Sequence, residues 1–301
     1  MMKTSRVITS TILAAAALAW STTRAVAEQR TFDTPEAGAK ALIEATRADD
    51  TKALLDMVGP EHADLFETAG PEHRERFARF AKVADEYLVL RPDGDDRRTL
   101  VVGYGAWPFP IPLVKAGSTW RFDTTAGRDE LLARRIGSNE LAVIDTLHAY
   151  VIAQRQYAEQ ARDGSDVREF ARKLRSSPGK HDGLYWDADP AKGEEPSPVG
   201  PLLADDERQS GEPYYGYRFK ILTRQGPAAP ASRYDYVING HMIAGFAMVA
   251  YPAVPGLTGV KTFIVNHYDV VYEKDLGPST PKTAAAMTAY DPDAAWTPVR
   301  D

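Results

Sequence analysis

The sequence predicts an α+β protein in two parts: N-terminal helices followed by a curled antiparallel sheet, then a long helix packed on an antiparallel meander. Three observations point there. Residues 214–276 hold the longest run in which apolar, aromatic and β-branched residues repeat one strand pattern after another. Residues 129–161 carry apolar side chains at helical spacing. Between residues 34 and 125, three helical patterns give way to two hairpin patterns. These observations divide the chain into a leader (1–27), a first α+β domain (28–126) and a second domain (127–301).

In chain order, the leader comes first. Lys3 and Arg6 precede an apolar run over residues 12–20, and Ala25-Val26-Ala27 follows, the order of a secretory signal peptide with a small-residue cleavage site. Cleavage is expected after Ala27. The apolar run falls short of the roughly 20 residues that a membrane span needs, so no span is expected after signal removal. The net charge is −6, and losing Lys3, Arg6 and Arg24 without any acid makes the mature chain more acidic still. An acidic surface repels phosphate backbones and anionic lipid, which argues against nucleic acid. The chain has no cysteine, hence no disulfide, no thiolate chemistry and no lipid-anchoring cysteine. The expected address is the periplasm.

Thr34 can cap a helix that Pro35 opens, with Ala37, Ala41, Leu42 and Ala45 on its stripe. A second helix over residues 51–57 stops at Gly59-Pro60, and a third over 71–85 places Phe77, Phe80, Ala81 and Ala84 at helical spacing. Residues 87–90 and 99–104 flank a turn containing Asp93-Gly94, and 113–115 and 119–122 flank Ala116-Gly117-Ser118; both read as hairpins. Between them, Pro108, Pro110 and Pro112 alternate with Trp107, Phe109 and Ile111. That segment must be extended and cannot be a central strand. It is either an exposed aromatic edge for a partner or a stiff crossing packed on its own core.

In the second part the long helix is expected to break at Gly137-Ser138, with Leu141, Ile144, Leu147, Val151 and Ala158 as its buried stripe and Val143, Tyr150 and Tyr157 beside it. Residues 176–213, rich in Pro, Gly, Asp and Glu, read as an irregular excursion with one short helix over 202–208. Tyr217, Phe219 and Ile221 alternate with Arg218 and Lys220 as in a half-buried strand, whereas 246–251 is apolar on both faces and reads as central. Residues 262–265 and 270–273 flank a turn at Asn266-His267-Tyr268-Asp269. Ser279 or Thr280 is expected to cap a last helix running to Ala289, followed by a tail with Trp296.

The strings YGYRFKILTRQGPAAP (215–230), GFAMVAYPA (245–253) and GVKTFIVNHYDVVYEKDLGPST (259–280) resemble an exported bacterial family catalogued as domain of unknown function 2950. The resemblance runs over residues 138–299, and more loosely over the rest of the mature chain. It implies a glycine in relatives where Tyr268 and Asp269 stand, and it brings no activity with it. In architecture the first part resembles cystatin-like and nuclear-transport-factor-like cones, which often enclose a pocket. The second part resembles pilin and pseudopilin heads. A shared fold does not transfer function.

Familiar chemistries are mostly absent. The six histidines, at positions 62, 73, 148, 181, 241 and 267, form no H-E-x-x-H or other close ligand pattern. Asp145 and His148 share a helix face, as a structural hydrogen bond would require. Asp187, Asp189, Glu194 and Glu195 lack the ordered spacing and glycine turn of a calcium loop. Ser279-Thr280-Pro281-Lys282 matches S-x-x-K without its companion motifs, and the proline favours capping over a nucleophile. The remaining polar cluster, Asn266, His267, Asp269, Glu273, Lys274 and Asp275, could do acid–base work if His267, Asp269, Glu273 and Asp275 converge, or it could be a charged tip that guards an edge strand.

The expectation is therefore a non-enzymatic envelope accessory or protein-binding module with no cofactor and no metal, its partner another envelope protein. The alternatives are a periplasmic hydrolase using residues 267–275, and a small-ligand carrier with a pocket in the first domain. The candidate docking residues are Trp107, Phe109, Tyr214, Tyr215 and Tyr217.

Overall fold

The computed structural model describes residues 28–66, 71–206 and 213–300. The signal-peptide reading of residues 1–27, and the end of the short helix expected over 202–208, lie outside them. The chain is α+β, built from helices and antiparallel sheets, and parts into two compact units between Gly127 and Arg128.

In the first unit α1 (Pro35–Ala48) begins where capping chemistry puts it. Thr34 is extended and its hydroxyl accepts the Ala37 N–H at 3.2 Å, while Asp49 ends the helix in left-handed backbone. The Asp50 carboxylate caps α2 (Thr51–Val58) by accepting the Ala53 N–H at 3.0 Å. A 3-10 stretch (Pro60–Phe66) and α3 (Pro71–Glu86) follow. The sheet comprises β1 (Leu88–Pro92), β2 (Arg97–Val102), β3 (Trp107–Pro108), β4 (Leu113–Ala116) and β5 (Thr119–Phe122), in the order β1-β2-β4-β5 with β3 also on β2.

The first hairpin pairs Leu88 with Val102 and Pro92 with Arg98. Of the proline-rich segment only Trp107–Pro108 pairs, as a proline at every second position demands. Leu42, Leu54, Met57, Leu100, Leu113 and Phe122 are buried together between helices and sheet. Gly38 lets α1 close on β4, since a Cβ there would meet Leu113 at 2.9 Å. Phe32, just ahead of α1, straps the far side of β5: Phe32 N–H donates to Trp120 O at 2.8 Å and Trp120 N–H to Phe32 O at 2.7 Å.

The second unit is dominated by α4 (Thr124–Tyr157), which enters from the preceding residues without a break. Gly137-Ser138 was expected to interrupt it. A glycine costs a helix interior only about 1 kcal/mol, and no proline stands nearby, so the long flanks carry the helix through. Its buried face also differs from the expected stripe: Leu141 is 66% exposed, whereas Val143, Leu147, Tyr150, Val151, Gln154 and Tyr157 are buried. The polar members of that face are admitted because each finds a partner. Tyr150 Oη donates to Ala247 O at 3.2 Å and Tyr157 Oη to His181 O at 2.6 Å. The Gln154 amide donates to Ala171 O and accepts from Ala171 N–H, both at 2.8 Å.

The irregular excursion contains α5 (Pro201–Asp206) and is pinned by ion pairs. Arg162 sits 4.9 Å from the rings of both Tyr157 and Trp186, with its two terminal nitrogens on Glu195 at 3.0 and 3.1 Å. Burial pushes the Tyr157 hydroxyl up to about 12. Burial alone would raise the Asp182 carboxyl, but the Lys173 ammonium and the Ser177 N–H and hydroxyl together hold it at about 2.

The strands that follow are β6 (Tyr217–Leu222), β7 (Arg224–Gln225), β8 (Tyr234–Asp235), β9 (Val237–Ile238), β10 (His241–Met242), β11 (Ala247–Pro252), β12 (Thr262–Asn266), β13 (Tyr272–Lys274) and, after α6 (Thr280–Ala285), β14 (Thr297–Pro298). The main sheet runs β14-β13-β12-β11-β6, with β7-β8 and β9-β10 as separate ribbons. As its double-sided apolar pattern required, β11 is buried along its whole length, and β12, with the polar Thr262 and Asn266 at its ends, is buried throughout as well. Strand β13 starts two residues later than expected. At the preceding corner Asp269 takes the left-handed backbone (φ 65) for which a glycine was expected, a conformation aspartate tolerates. The last helix is shorter than expected: Lys220 Nζ donates to Ala285 O at 2.6 Å and Met287 O at 2.7 Å, which holds the chain end in another path. Thr280 does not cap by accepting; its hydroxyl donates to Gly277 O at 2.6 Å.

Candidate functional site

Strand β1 of the first unit combines exposed apolar side chains with unused backbone groups. Tyr87 O accepts the Gly103 N–H at 2.9 Å and Asp93 N–H donates to Arg97 O at 3.0 Å, so both ends of this side of the hairpin turn their polar groups toward β2. In an antiparallel ladder that orientation alternates residue by residue. Val89 and Arg91 therefore also face β2, while the N–H and C=O of Leu88 and Leu90 point outward. No strand pairs with that side among the described residues. The next outward position is Pro92, which has no N–H to offer and so ends the edge.

Side chains divide the same way. Tyr87 and Val89 stand on one face, 42% and 41% exposed, and Tyr104 lies against Tyr87 with ring centroids 6.1 Å apart. Leu88, which is 37% exposed, and the partly buried Leu90 stand on the other face. With Ala39, Ile43 and Glu44 of α1 they border an open groove of about 600 Å³. Arg47 and Asp85 close one end at 2.5 Å. A helix and a free strand edge flanking a groove in which Ala39, Ile43, Leu88 and Leu90 alternate with the charged Glu36, Lys40 and Glu44 is an arrangement into which an extended polypeptide can add as a further strand.

The docking residues expected from sequence separate. Trp107 is 45% exposed, but its ring packs on Phe80 and Phe109, with Phe109 also 6.4 Å from Phe122, so this segment sits on its own core. In the second unit the rings of Tyr214 and Tyr215 lie 4.4 Å apart, tilted by 51°, and Tyr215 is exposed. Tyr217 is wholly buried, its hydroxyl donating to Lys261 O at 2.9 Å, and cannot belong to a surface patch.

The residues of the expected acid–base cluster also take separate roles. Asp269 Oδ1 pairs with His148 Nδ1 at 2.8 Å, a partner for His148 that the helix-face pairing with Asp145 did not foresee. Asp275 accepts the Gly277 N–H at 2.8 Å, and Glu273 lies half-buried on β13 opposite Phe263. Among the described residues no hydrogen bond or ion pair joins His267 to Asp269, Glu273 or Asp275. His267 is half-buried, edge-on to Tyr236 at 5.7 Å. Burial pushes its pKa below the ordinary value, against the smaller opposing pull of the Phe246 backbone. A histidine whose folded pKa is lowered contributes stability that is complete above its unfolded value near 6.5 and is lost as pH falls through that value toward the folded one. Thermal midpoints measured from pH 7.5 to 5.5 should therefore fall more steeply for the wild type than for His267→Gln; parallel profiles would refute the assignment.

The acids once considered for calcium are each spoken for: Tyr185 Oη donates to Asp187 at 2.6 Å, Lys192 pairs with Asp189 at 3.2 Å, and Glu194 accepts the Asp189 N–H at 2.7 Å. Among the described residues no group of three or more histidine or acidic side chains is placed to hold a metal ion, and no helix is long and apolar enough to cross a membrane.

Residues 29–299 match the family model described as "Protein of unknown function (DUF2950)". The chain belongs to this family. No curated protein and no solved structure matches it. The function of this DUF2950 chain must therefore be argued from its own geometry, and the free edge of β1 is the feature that sequence reasoning passed over. Its signal was four consecutive apolar residues from Tyr87 to Leu90, with no wet face, ending near Pro92.

Proposed function

We propose that this protein is an exported, non-enzymatic binding module of the cell envelope that docks another polypeptide by strand addition along β1. The outward N–H and C=O groups of Leu88 and Leu90, beside the groove under α1, carry this reading. Backbone hydrogen bonds would supply affinity, and the groove would accept apolar side chains at alternate positions of the added strand. The leader pattern in residues 1–27 supports export, and cleavage after Ala27 would leave a periplasmic protein.

A photo-crosslinking residue placed at Val89 in cells tests it, with the exposed Ser118 of the β4–β5 turn as control. Polypeptide adducts are expected at 89 and not at 118, and Leu90→Pro, which deletes an outward N–H, should reduce them at least several-fold. Equal labelling at both positions, or none at 89, would sink the proposal.

A further inference from the structure

We infer that the polypeptide accepted by β1 is the β1 strand of a second copy of this chain. The inference rests on the docking role assigned to that edge and names its occupant.

The edge is complementary to itself. Laid antiparallel about a two-fold axis through Val89, Leu88 of one copy stands opposite Leu90 of the other. These are the residues whose N–H and C=O point outward, so each such pair exchanges both of its N–H···O bonds. Val89 then faces its own counterpart in a non-hydrogen-bonded pair, where side chains approach most closely. A two-fold at Leu90 would set Pro92, which has no N–H, opposite Leu88, and a two-fold at Leu88 would set Leu90 opposite Glu86, the last residue of α3.

Side chains and charges agree with this arrangement. The incoming Leu88 and Leu90 lie on the same face as the resident pair, over the groove bordered by Ala39 and Ile43. Glu86, the last residue of α3, precedes the strand by two positions, and Arg91 follows its apolar run; both are exposed and neither forms an ion pair among the described residues. Their neighbours Asp85 and Asp93 are already matched to Arg47 and Arg97 at 2.5 and 3.4 Å. Antiparallel self-pairing sets Glu86 of each copy toward Arg91 of the other, whereas parallel pairing would set like beside like. Such an isologous contact uses one patch twice. Being small, it should be weak and concentration-dependent.

The chain has no cysteine, so Val89→Cys introduces a single thiol on the proposed axis. Directly opposed residues of a non-hydrogen-bonded pair lie about 4.5 Å apart, within the range a disulfide bridges. Oxidation should convert this variant to a covalent dimer, while Ser118→Cys stays largely monomeric. In sedimentation experiments the wild type should double in mass with rising concentration. Val89→Glu and Val89→Lys should each remain monomeric, and mixing the two should restore the dimer. Val89 is exposed, so neither variant threatens the fold, which circular dichroism verifies. A wild type that stays monomeric, or a mixture that does not associate, overturns self-pairing. Crosslinks from Val89 to a different chain would also overturn it, yet would leave the docking role of the edge standing.

Discussion

Gln154→Ala should lower the stability of the second unit by about 2–5 kcal/mol. The Gln154 side chain is fully buried in α4, and its amide closes a two-way bond with the Ala171 backbone, donating to its carbonyl and accepting its N–H at 2.8 Å each. It also donates to Tyr150 Oη at 3.0 Å. Ala171 is itself buried, so truncation strands a backbone donor and acceptor away from water, each costing about 1–3 kcal/mol. Urea unfolding gives the total, and amide exchange at Ala171 gives the local effect, which should rise by orders of magnitude. A change under about 0.5 kcal/mol, with Ala171 still protected, would show that the clamp is dispensable.

Gly259→Ala should cost about 2–4 kcal/mol, although it adds one methyl group. A Cβ there would overlap Tyr217 Oη and the ring carbons beside it. Tyr217 cannot yield: it is wholly buried, packs on Phe263 at 6.0 Å, and its hydroxyl is tied to Lys261 O at 2.9 Å. Overpacking of about 1–3 kcal/mol is therefore joined by the loss of a hydrogen bond worth about 1 kcal/mol. Gly226→Ala is an internal contrast. There the intruding Cβ would meet the Asp291 carboxylate, which can swing away at the loss of its 2.8 Å bond to the Ala228 N–H. The Gly226 variant should lose about 1 kcal/mol. In a double-mutant cycle, Tyr217→Phe should recover part of the Gly259→Ala loss by removing the nearest atom. Equal costs for the two glycine variants would mean that Tyr217 is less confined than its burial implies.

What could be read from the sequence was local. Thr34, Pro35 and Asp93-Gly94 act through neighbours a few residues away, and the elements they start or turn lie where expected. The unalternating run of β11 told of burial on both faces without any knowledge of what covers them. Errors came where distant partners decide. Gln154 joined the buried face of α4 because the Ala171 backbone satisfies its amide, whereas Leu141, expected on the stripe, lies in solvent. Of the two readings of residues 266–275, the converging acid–base cluster does not form, since Asp269 turns to His148 of α4, far back in the chain. Residues 87–92 carry the apolar run and the proline, but these alone do not decide whether β1 ends its sheet. It depends on where every other strand pairs.

The strap at Phe32 has a consequence for how far association can proceed. A sheet with two bare margins can add copies without limit and grow into a fibre. Here the β5 margin is already occupied by the chain's own Phe32, through reciprocal bonds to Trp120 of 2.8 and 2.7 Å. One margin of this sheet is sealed by the molecule itself and the other would be consumed by its twin, so growth through this sheet would stop at a closed pair. The residues ahead of α1 would then act as a chain terminator for the first unit's sheet.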